Sequence, residues 1–277
     1  SSVPLVPRMR VLSDNSFEVR VDRADGQTDQ VSAVSLHYVA VEEGTYTQAE
    51  HGVTMEAVLF DSTVTDNSAS WNGQARDYSN SYTAPVVLGQ VMSYNDAGFS
   101  AFWSRGTARG LAPTSSALHV GKHVGEDADT SRADETVGYI VLEAGSYNLD
   151  ETQFVAGLGG DTVGGITNAA PYSYSLSGLD SPATAVVSQA AMDGNNGGWA
   201  VLHGADPLAN DQLNLAIDED QIKDTERSHT TEQVAYLVFD GTESPPPPPP
   251  ASALPGLRMI NLVISRSRRI YNHRPKT

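Results

Sequence analysis

The stretch Val137-Gly-Tyr-Ile-Val-Leu-Glu-Ala-Gly145 decides the fold, because the chain contains it in three versions. The earlier version is Leu36-His-Tyr-Val-Ala-Val-Glu-Glu-Gly44, and the later one is Val234-Ala-Tyr-Leu-Val-Phe-Asp-Gly241. Each version, called a signature segment below, is a short β-branched and aromatic run that reaches an acidic residue and is stopped by glycine. Such a run is typical of a buried strand that leads into a turn.

The signature segments recur at a nearly constant spacing. Their tyrosines, Tyr38, Tyr139 and Tyr236, are 101 and 97 residues apart. This period is too long for a solenoid repeat and matches tandem small domains. The sequence therefore predicts three β units: an incomplete N-terminal unit, residues 1–44, and two full units, called the first unit, residues 45–145, and the second unit, residues 146–241.

A strand-like run precedes each signature segment. Phe17-Glu-Val-Arg-Val-Asp22 alternates with period two before the first segment, and Leu118–Val124 and Leu213–Ile217 occupy the same place before the others. Short strands separated by turn-rich loops favour an antiparallel sandwich. The predicted fold class is all-β, with tandem antiparallel β-sandwich units.

Composition excludes several classes of protein and of site. The 277 residues include no cysteine, which rules out disulfides and thiolate metal sites. The apolar runs are far shorter than the ~18–20 residues of a membrane span. The net charge is −17, but residues 257–277 hold six basic and no acidic residues, which leaves −23 on residues 1–256. A body this acidic repels nucleic acid and anionic membranes, so neither is expected as a partner.

Six consecutive prolines separate the acidic body from the basic end. Because proline fixes φ and lacks a backbone donor, residues 242–256 are predicted to form a polyproline linker. At ~3.1 Å per residue, the prolines would span roughly 19 Å as a stiff spacer that prevents the chain from folding straight back. Residues 257–277 are predicted to form a basic strand and tail, with the following assembly candidates: Met259, Ile260, Leu262, Val263, Ile264 and Arg266.

The same prolines are the predicted glycosylation sites. No Asn-x-Ser/Thr sequence occurs in the chain, so any glycan must be O-linked, on Ser, Thr or hydroxylated proline. An unmodified linker is the alternative. The candidate acceptors are Pro245, Pro246, Pro247, Pro248, Pro249 and Pro250.

Residues 8–241 resemble a repeat of secreted bacterial and algal proteins that is related to H-type lectin domains. The pattern of this repeat is carried by Phe17 in the first copy and by Pro85-Val-Val87, Glu126-Asp127 and the run Glu135–Gly145 in the second. The last copy keeps Asp218-Glu-Asp220, His229, Glu232 and Tyr236, whereas the first copy departs with Val34 where Glu135 and Glu232 stand.

The resemblance implies small β-sandwiches that serve in extracellular adhesion or as structural repeats, some of which bind sugar. The Ser-Pro-Pro run resembles the hydroxyproline-rich, O-glycosylated segments of algal wall and flagellar proteins. Taken together, the chain looks like a protomer of a glycosylated extracellular fibril.

No motif for catalysis or for a resident cofactor is present. The chain lacks the spacings of zinc hydrolases, of the serine nucleophile elbow and of phosphate-binding loops, so we expect neither an enzyme nor a cofactor. Two acidic clusters lack the ligand spacing of a calcium loop and are predicted to be solvated loops, with calcium binding as the alternative. They are Glu126/Asp127/Asp129 and Asp218/Glu219/Asp220/Asp224.

Two pairs of charged residues and three tryptophans complete the candidates. Cation–carboxylate pairs are predicted beside two signature segments, formed by His229 with Glu232 and by Arg132 with Glu135. These pairs are not expected to be catalytic, because a catalytic pair would not exchange histidine for a permanently protonated arginine. Sugar could stack on Trp71, Trp103 or Trp199, but the last two fit strand patterns and are expected in the core.

The predicted function is structural. The incomplete N-terminal unit would present an open sheet edge, and the C-terminal strand lacks a sheet of its own. Donation of that strand to the neighbour's N-terminal unit would satisfy both by strand addition and would build a homopolymeric, head-to-tail filament outside the cell. The alternative is a cell-surface adhesin whose units bind sugar.

Overall fold

The three signature segments lie in three equivalent strands. The computed structural model describes residues 1–13, 16–29, 31, 34–150, 152–241 and the backbone of the strand Val263–Ile270. Within these residues the signature strands are β3 (Val34–Ala40), β11 (Glu135–Glu143) and β18 (Val234–Asp240). The predicted all-β class is confirmed, since short antiparallel sheets dominate the described chain.

The other elements are short, and turns or polar loops join them. The strands are β1 (Leu5–Ser13), β2 (Ser16–Arg23), β4 (Gly44–Tyr46), β5 (Met55–Ser62), β6 (Thr65–Asp66), β7 (Gln74–Arg76), β8 (Pro85–Val91), β9 (Ala101–Arg105), β10 (Leu118–His123), β12 (Gly145–Leu149), β13 (Thr152–Leu158), β14 (Tyr172–Ser175), β15 (Pro182–Gln189), β16 (Trp199–Leu202), β17 (Gln212–Asp218) and β19 (Val263–Ile270). One helical turn, α1 (Gln48–His51), and a 3₁₀ turn, Ala209–Asp211, interrupt them.

The first unit, β4–β11, consists of two facing sheets. One sheet has the order β4-β5-β11-β8, and the other is built around β10, which pairs with β6, β7 and β9. Alternate residues of a strand point to opposite faces. Val137, Tyr139 and Val141 of β11 therefore share one face, and they pack against Leu118 and Val120 of β10.

The second unit, β12–β18, repeats this arrangement. Its signature strand β18 lies between β13 and β15 in a sheet of order β12-β13-β18-β15, and a sheet of order β14-β17-β16 faces it. Val234 and Val238 pack with Leu213 and Leu215 of β17 between the two sheets.

The N-terminal unit, β1–β3, has fewer strands. β1 and β2 form an antiparallel hairpin, and Phe17 of this hairpin contacts Tyr38 of β3 edge-to-face, with ring centroids 5.1 Å apart. Val6 and Ala24 anchor the hairpin in a cluster with Phe99 and Trp199, which belong to the other two units.

A second face of each signature strand points into one central core, which all three units share. Leu142 of β11 and Leu237 and Phe239 of β18 are buried there, and Val39 and Val41 of the first signature segment pack against the same cluster. The remaining cavity is about 10 Å³, so the core is nearly filled. The three units therefore share one apolar core and are not independently packed domains.

Candidate assembly site

The central strand of the N-terminal unit has an incomplete set of neighbours. β11 and β18 each form hydrogen-bonded ladders with strands on both sides. Among the described residues, β3 forms a ladder with β19 alone. One backbone edge of β3 thus has no strand partner in the described chain, which is the arrangement that invites strand addition.

The neighbour of β3 is the C-terminal strand of the same chain. β19 runs antiparallel to β3, with Val263 opposite Ala40, Ile264 opposite Val39 and Ser265 opposite Tyr38. The expectation that the linker prevents the end of the chain from folding back is therefore wrong, because the pairing occurs within one molecule.

The structure places part of the predicted assembly segment. Val263, Ile264 and Arg266 lie on β19, with Arg266 inside a shift of the pairing register between Ser265 and Arg268. The other candidates, Met259, Ile260, Leu262 and Pro245–Pro250, lie outside the described residues.

The hairpin that covers β3 is less buried than its counterparts. Leu118 and Leu213 correspond to Phe17 and are 2% and 0% exposed. Each is buried between the two sheets of its unit. Phe17 and Val19 are only half-buried. The apolar residues that lie over β3 are therefore more exposed than their counterparts in the other two units.

The far end of the same hairpin is openly apolar. Val11 and Leu12, at the end of β1, are 50% and 55% exposed. Large exposed side chains at the end of a strand favour contact with another chain. Val11 lies opposite Phe17 in the hairpin register, so it extends the apolar surface that begins at Phe17.

A buried ion pair fastens the N-terminal unit to the first unit. The guanidinium of Arg8 donates to the Glu135 carboxylate and to the carbonyl oxygens of Ser93 and Gly98, at 2.8 and 2.7 Å. Burial opposes ionisation of Glu135, but hydrogen bonds from Ser93 and the Asp96 N–H, together with the charge of Arg8, outweigh it and lower its pKa.

The predicted pair of Arg132 with Glu135 is wrong. Arg132 instead binds Asp96 at 3.0 Å and Asp127 at 2.6 Å. Glu135 is paired with Arg8 instead, and Arg132 links the loops that contain Asp96 and Asp127.

The corresponding pair in the second unit is confirmed and has a third member. The His229 ring nitrogens lie 2.9 Å from Glu232 and 3.0 Å from Glu219, and all three side chains are buried. Burial alone would lower the pKa of His229, but the bonds to Glu219 and Glu232 raise it to about 9. Burial also raises the pKa of Glu219 to about 7, against the attraction of His229. The cluster is closed to solvent and holds the loop at Asp193 and Gly194, whose N–H groups donate to Glu232.

The second acidic cluster is not the solvated loop that the sequence predicts. Asp218, Glu219 and Asp220 are 3%, 1% and 3% exposed. Arg227 binds both oxygens of Asp218 at 2.7 Å, while Asp220 accepts the Glu126 N–H at 2.8 Å. In the described part of the chain, no group of three or more His, Asp or Glu side chains is arranged to hold a metal ion.

The tryptophans are not available for stacking on sugar. Trp71, Trp103 and Trp199 are 6%, 0% and 6% exposed, so all three belong to the interior. This confirms the core assignment of Trp103 and Trp199 and excludes an open stacking platform at any of the three. Within the described residues, no helix has the length and apolarity needed to cross a membrane.

Comparison with known proteins gives one similarity. The chain is similar to halomucin. That protein, from Haloquadratum walsbyi, is 28% identical to the chain over 236 residues, which are 85% of this chain and 2% of halomucin. The chain thus spans a very small part of its relative. No protein-family model and no solved structure matches it.

Proposed function

We propose that the chain is a structural protomer of an extracellular filament. In this proposal, tandem β-sandwich units of the type seen in H-type lectins form the body. β19 of one copy occupies β3 of the next, and the role is mechanical and not enzymatic. The observation that carries the proposal is the β3–β19 ladder, in which the C-terminal strand pairs antiparallel with β3 on both sides of one register shift between Ser265 and Arg268.

A ladder within one chain supports the same ladder between chains. The backbone hydrogen bonds of an antiparallel pair do not depend on whether the two strands share a molecule. An exchange of identical elements between protomers therefore conserves the interface and changes only the connection, as in domain swapping. The connecting residues 242–262 set which arrangement is preferred.

An exchanged strand would give an open-ended polymer. The donor is at the C-terminal end of one copy and the acceptor is in the N-terminal unit of the next, so the contact is head-to-tail. Contacts of this kind build filaments whenever the rotation between copies does not close a ring. The exposed Val11 and Leu12 beside the acceptor would be covered at the same joint.

Charge supports the pairing of unlike surfaces. Residues 257–277 carry six positive charges, and the rest of the chain carries a net −23. Opposite potentials speed the encounter of tail and body, and like charge disfavours contact between two acidic bodies. The donor end would thus be guided to the body of another copy.

The similarity to halomucin supports an extracellular place and O-linked glycans. Its name refers to the mucins, in which Ser, Thr and Pro-rich stalks carry O-glycans. We assign Pro245–Pro250 and the preceding Ser244 the role of carrying O-linked glycans. The glycans would surround the joint between protomers.

Engineered cysteines test the exchange directly, because the chain has none of its own. Copies carrying only Val39→Cys are mixed with copies carrying only Ile264→Cys, two positions that face each other in the β3–β19 register. After mild denaturation, refolding and oxidation, we expect a disulfide-linked pair of chains. Copies carrying Leu59→Cys, at an exposed site on β5, replace Val39→Cys in the control and should not cross-link. The proposal is wrong if cross-links form only when both cysteines are on the same chain.

A further inference from the structure

The second strand of the N-terminal hairpin, β2, has a neighbouring strand on one side alone. Its counterparts before the other signature strands are flanked on both sides, since β10 pairs with β7 and β9, and β17 lies between β14 and β16. Among the described residues, β2 pairs only with β1, which precedes it in the chain as β9 and β16 precede their partners. The edge that β7 and β14 occupy elsewhere therefore has no strand partner in the described N-terminal unit.

This edge lacks the features that usually keep an exposed strand from pairing. Short length, proline and bulges are common protections of an edge strand. β2 has eight residues and no proline, and its ladder with β1 is continuous from Arg23 to Phe17. The strands β7 and β14, by contrast, have only three and four residues. The edge of β2 is thus long and regular enough to accept another strand.

The side chains of β2 alternate between an apolar face and a charged face. Phe17 and Val19 share the face toward β3, where the Phe17 ring contacts a tyrosine of that strand. Glu18 and Arg20 share the opposite face, and their side chains are 41% and 27% exposed. The guanidinium carbon of Arg20 lies 4.3 Å from the centroid of the Tyr94 ring, which holds the side chain in place. A strand added at this edge would meet apolar residues on one face and a charge of each sign on the other.

A second copy of β2 fits this edge when a two-fold axis passes through Val19. Opposite residues of an antiparallel pair share a face, so the axis must pass through a residue and not between two residues. An axis through Val19 pairs residues 16–22 of the two copies and sets Glu18 of each copy opposite Arg20 of the other. An axis through Glu18 or Arg20 would set like charges opposite each other, which is destabilising.

An axis through Val21 also matches opposite charges, Arg20 with Asp22, but it fits less well. The carboxylate of Asp22 is already bound by Arg8 and Arg20 of its own chain, at 3.4 and 3.0 Å. The pairing would also leave residues 16–18 outside the shared ladder. The axis through Val19 includes these residues and uses the two most exposed charges near the centre of the strand.

We propose that two copies of the chain associate through their β2 strands, which pair antiparallel about a two-fold axis at Val19. The same surface then serves both copies, as in other isologous contacts. This contact goes beyond filament assembly, which uses β3 and β19, and neither contact depends on the other. Where filaments form, the β2 contact would join two of them side by side.

One engineered cysteine tests the pairing in the full chain, which has no cysteine of its own. The proposed axis sets the two copies of position 19 directly opposite each other, with Cα atoms about 4.5–5.5 Å apart, which is within the range of a disulfide. Chains with Val19→Cys should therefore form disulfide-linked dimers on oxidation. Filament contacts do not confuse the result, because a chain with one cysteine links to only one other chain. Leu59→Cys, at an exposed site on β5, should stay monomeric on a denaturing gel.

Exchange of the two charges tests the register, with Val19→Cys in every chain. Glu18→Arg or Arg20→Glu alone sets like charges opposite each other and should reduce the yield of dimer about tenfold or more. A mixture of the two variants restores opposite charges at both contacts. Mixed dimers, identified by mass spectrometry, should therefore form at the parent level, and their recovery shows that both variants fold.

Glu50→Arg is the matched control for net charge. It makes the same change of charge as Glu18→Arg, but at an exposed site on α1, outside the N-terminal unit. Its yield of dimer should equal that of the parent. The proposal is refuted if Val19→Cys cross-links no better than Leu59→Cys, if Glu18→Arg and Glu50→Arg give equal yields, or if the mixture gives no mixed dimer.

Discussion

Arg8 and Glu135 are 127 residues apart in the chain and form an ion pair whose side chains are 0% and 1% exposed. The pair joins the β1–β2 hairpin of the N-terminal unit to the start of β11, the signature strand of the first unit. A carboxylate that is buried at this depth requires a compensating charge. The attachment of the N-terminal unit therefore depends on Arg8.

We predict that Arg8→Ala strongly destabilises the protein. Loss of the guanidinium leaves Glu135 buried without its charge partner, which costs about 3–5 kcal/mol of the free energy of unfolding. Arg10→Ala is the control, since Arg10 pairs with Glu18 on the surface, where the side chains are 48% and 41% exposed. Urea unfolding followed by fluorescence measures both, and the control should change by less than about 1 kcal/mol.

A double variant separates the buried charge from packing. Arg8→Met combined with Glu135→Gln removes both charges and should recover part of the stability that Arg8→Ala loses. If the double variant is less stable than Arg8→Ala, the cost comes from shape and not from charge.

Stability should fall between about pH 6.5 and 9. The pKa of His229 rises from 6.5 to about 9 in the folded chain, so its stabilising contribution is complete below pH 6.5 and is lost as pH rises through 9. The contribution is roughly 3 kcal/mol, because one pKa unit corresponds to about 1.4 kcal/mol. Urea midpoints at pH 6 and pH 9.5 measure the loss. His229→Gln should flatten this dependence, whereas His51→Gln, outside the cluster, should keep it.

Added salt should stabilise the fold. The net charge of −17 makes the compact state repel itself, and 1 M NaCl shortens the screening length to about 3 Å from about 10 Å at 0.1 M. The thermal midpoint should rise over this range. The combined variant Glu42→Gln, Asp61→Asn and Asp77→Asn removes three exposed charges and should show a smaller rise. A midpoint that falls with NaCl would mean that ion pairs outweigh the repulsion.

Removal of residues 257–277 should eliminate filaments. The truncated chain keeps every residue of the central core but loses β19, the strand that pairs with β3. Negative-stain electron microscopy of the parent and truncated chains provides the comparison. Filaments that persist without these residues would contradict assembly by strand donation.

The strands were predictable because their signals are local. The alternation of Phe17–Asp22 and the β-branched run before Gly145 both fix a strand within a few residues. The partner of Glu135 was not predictable in this way, since Arg132 is near in sequence and Arg8 is near only in the fold. The burial of Asp218 was missed for the same reason, because a run of acidic residues resembles a solvated loop until its partner Arg227 is placed.

The shared core could have been inferred only in part. Ile140 and Leu142 are apolar on the face opposite to Tyr139, so the segment has no polar side. A strand that is apolar on both faces needs an apolar neighbour on each face. The sequence does not identify the neighbour on the Leu142 face, and the structure shows that residues of the other signature strands pack there.

The core that the three units share also constrains how such a chain can change in evolution. Deletion of a single unit would expose to water the core residues of the units that remain, such as Leu142 after loss of the second unit. We therefore expect evolution to gain or lose all three units together, or to replace a lost unit by recombination with another that covers the core. Substitutions at these positions are therefore coupled across units, because their side chains fill one core.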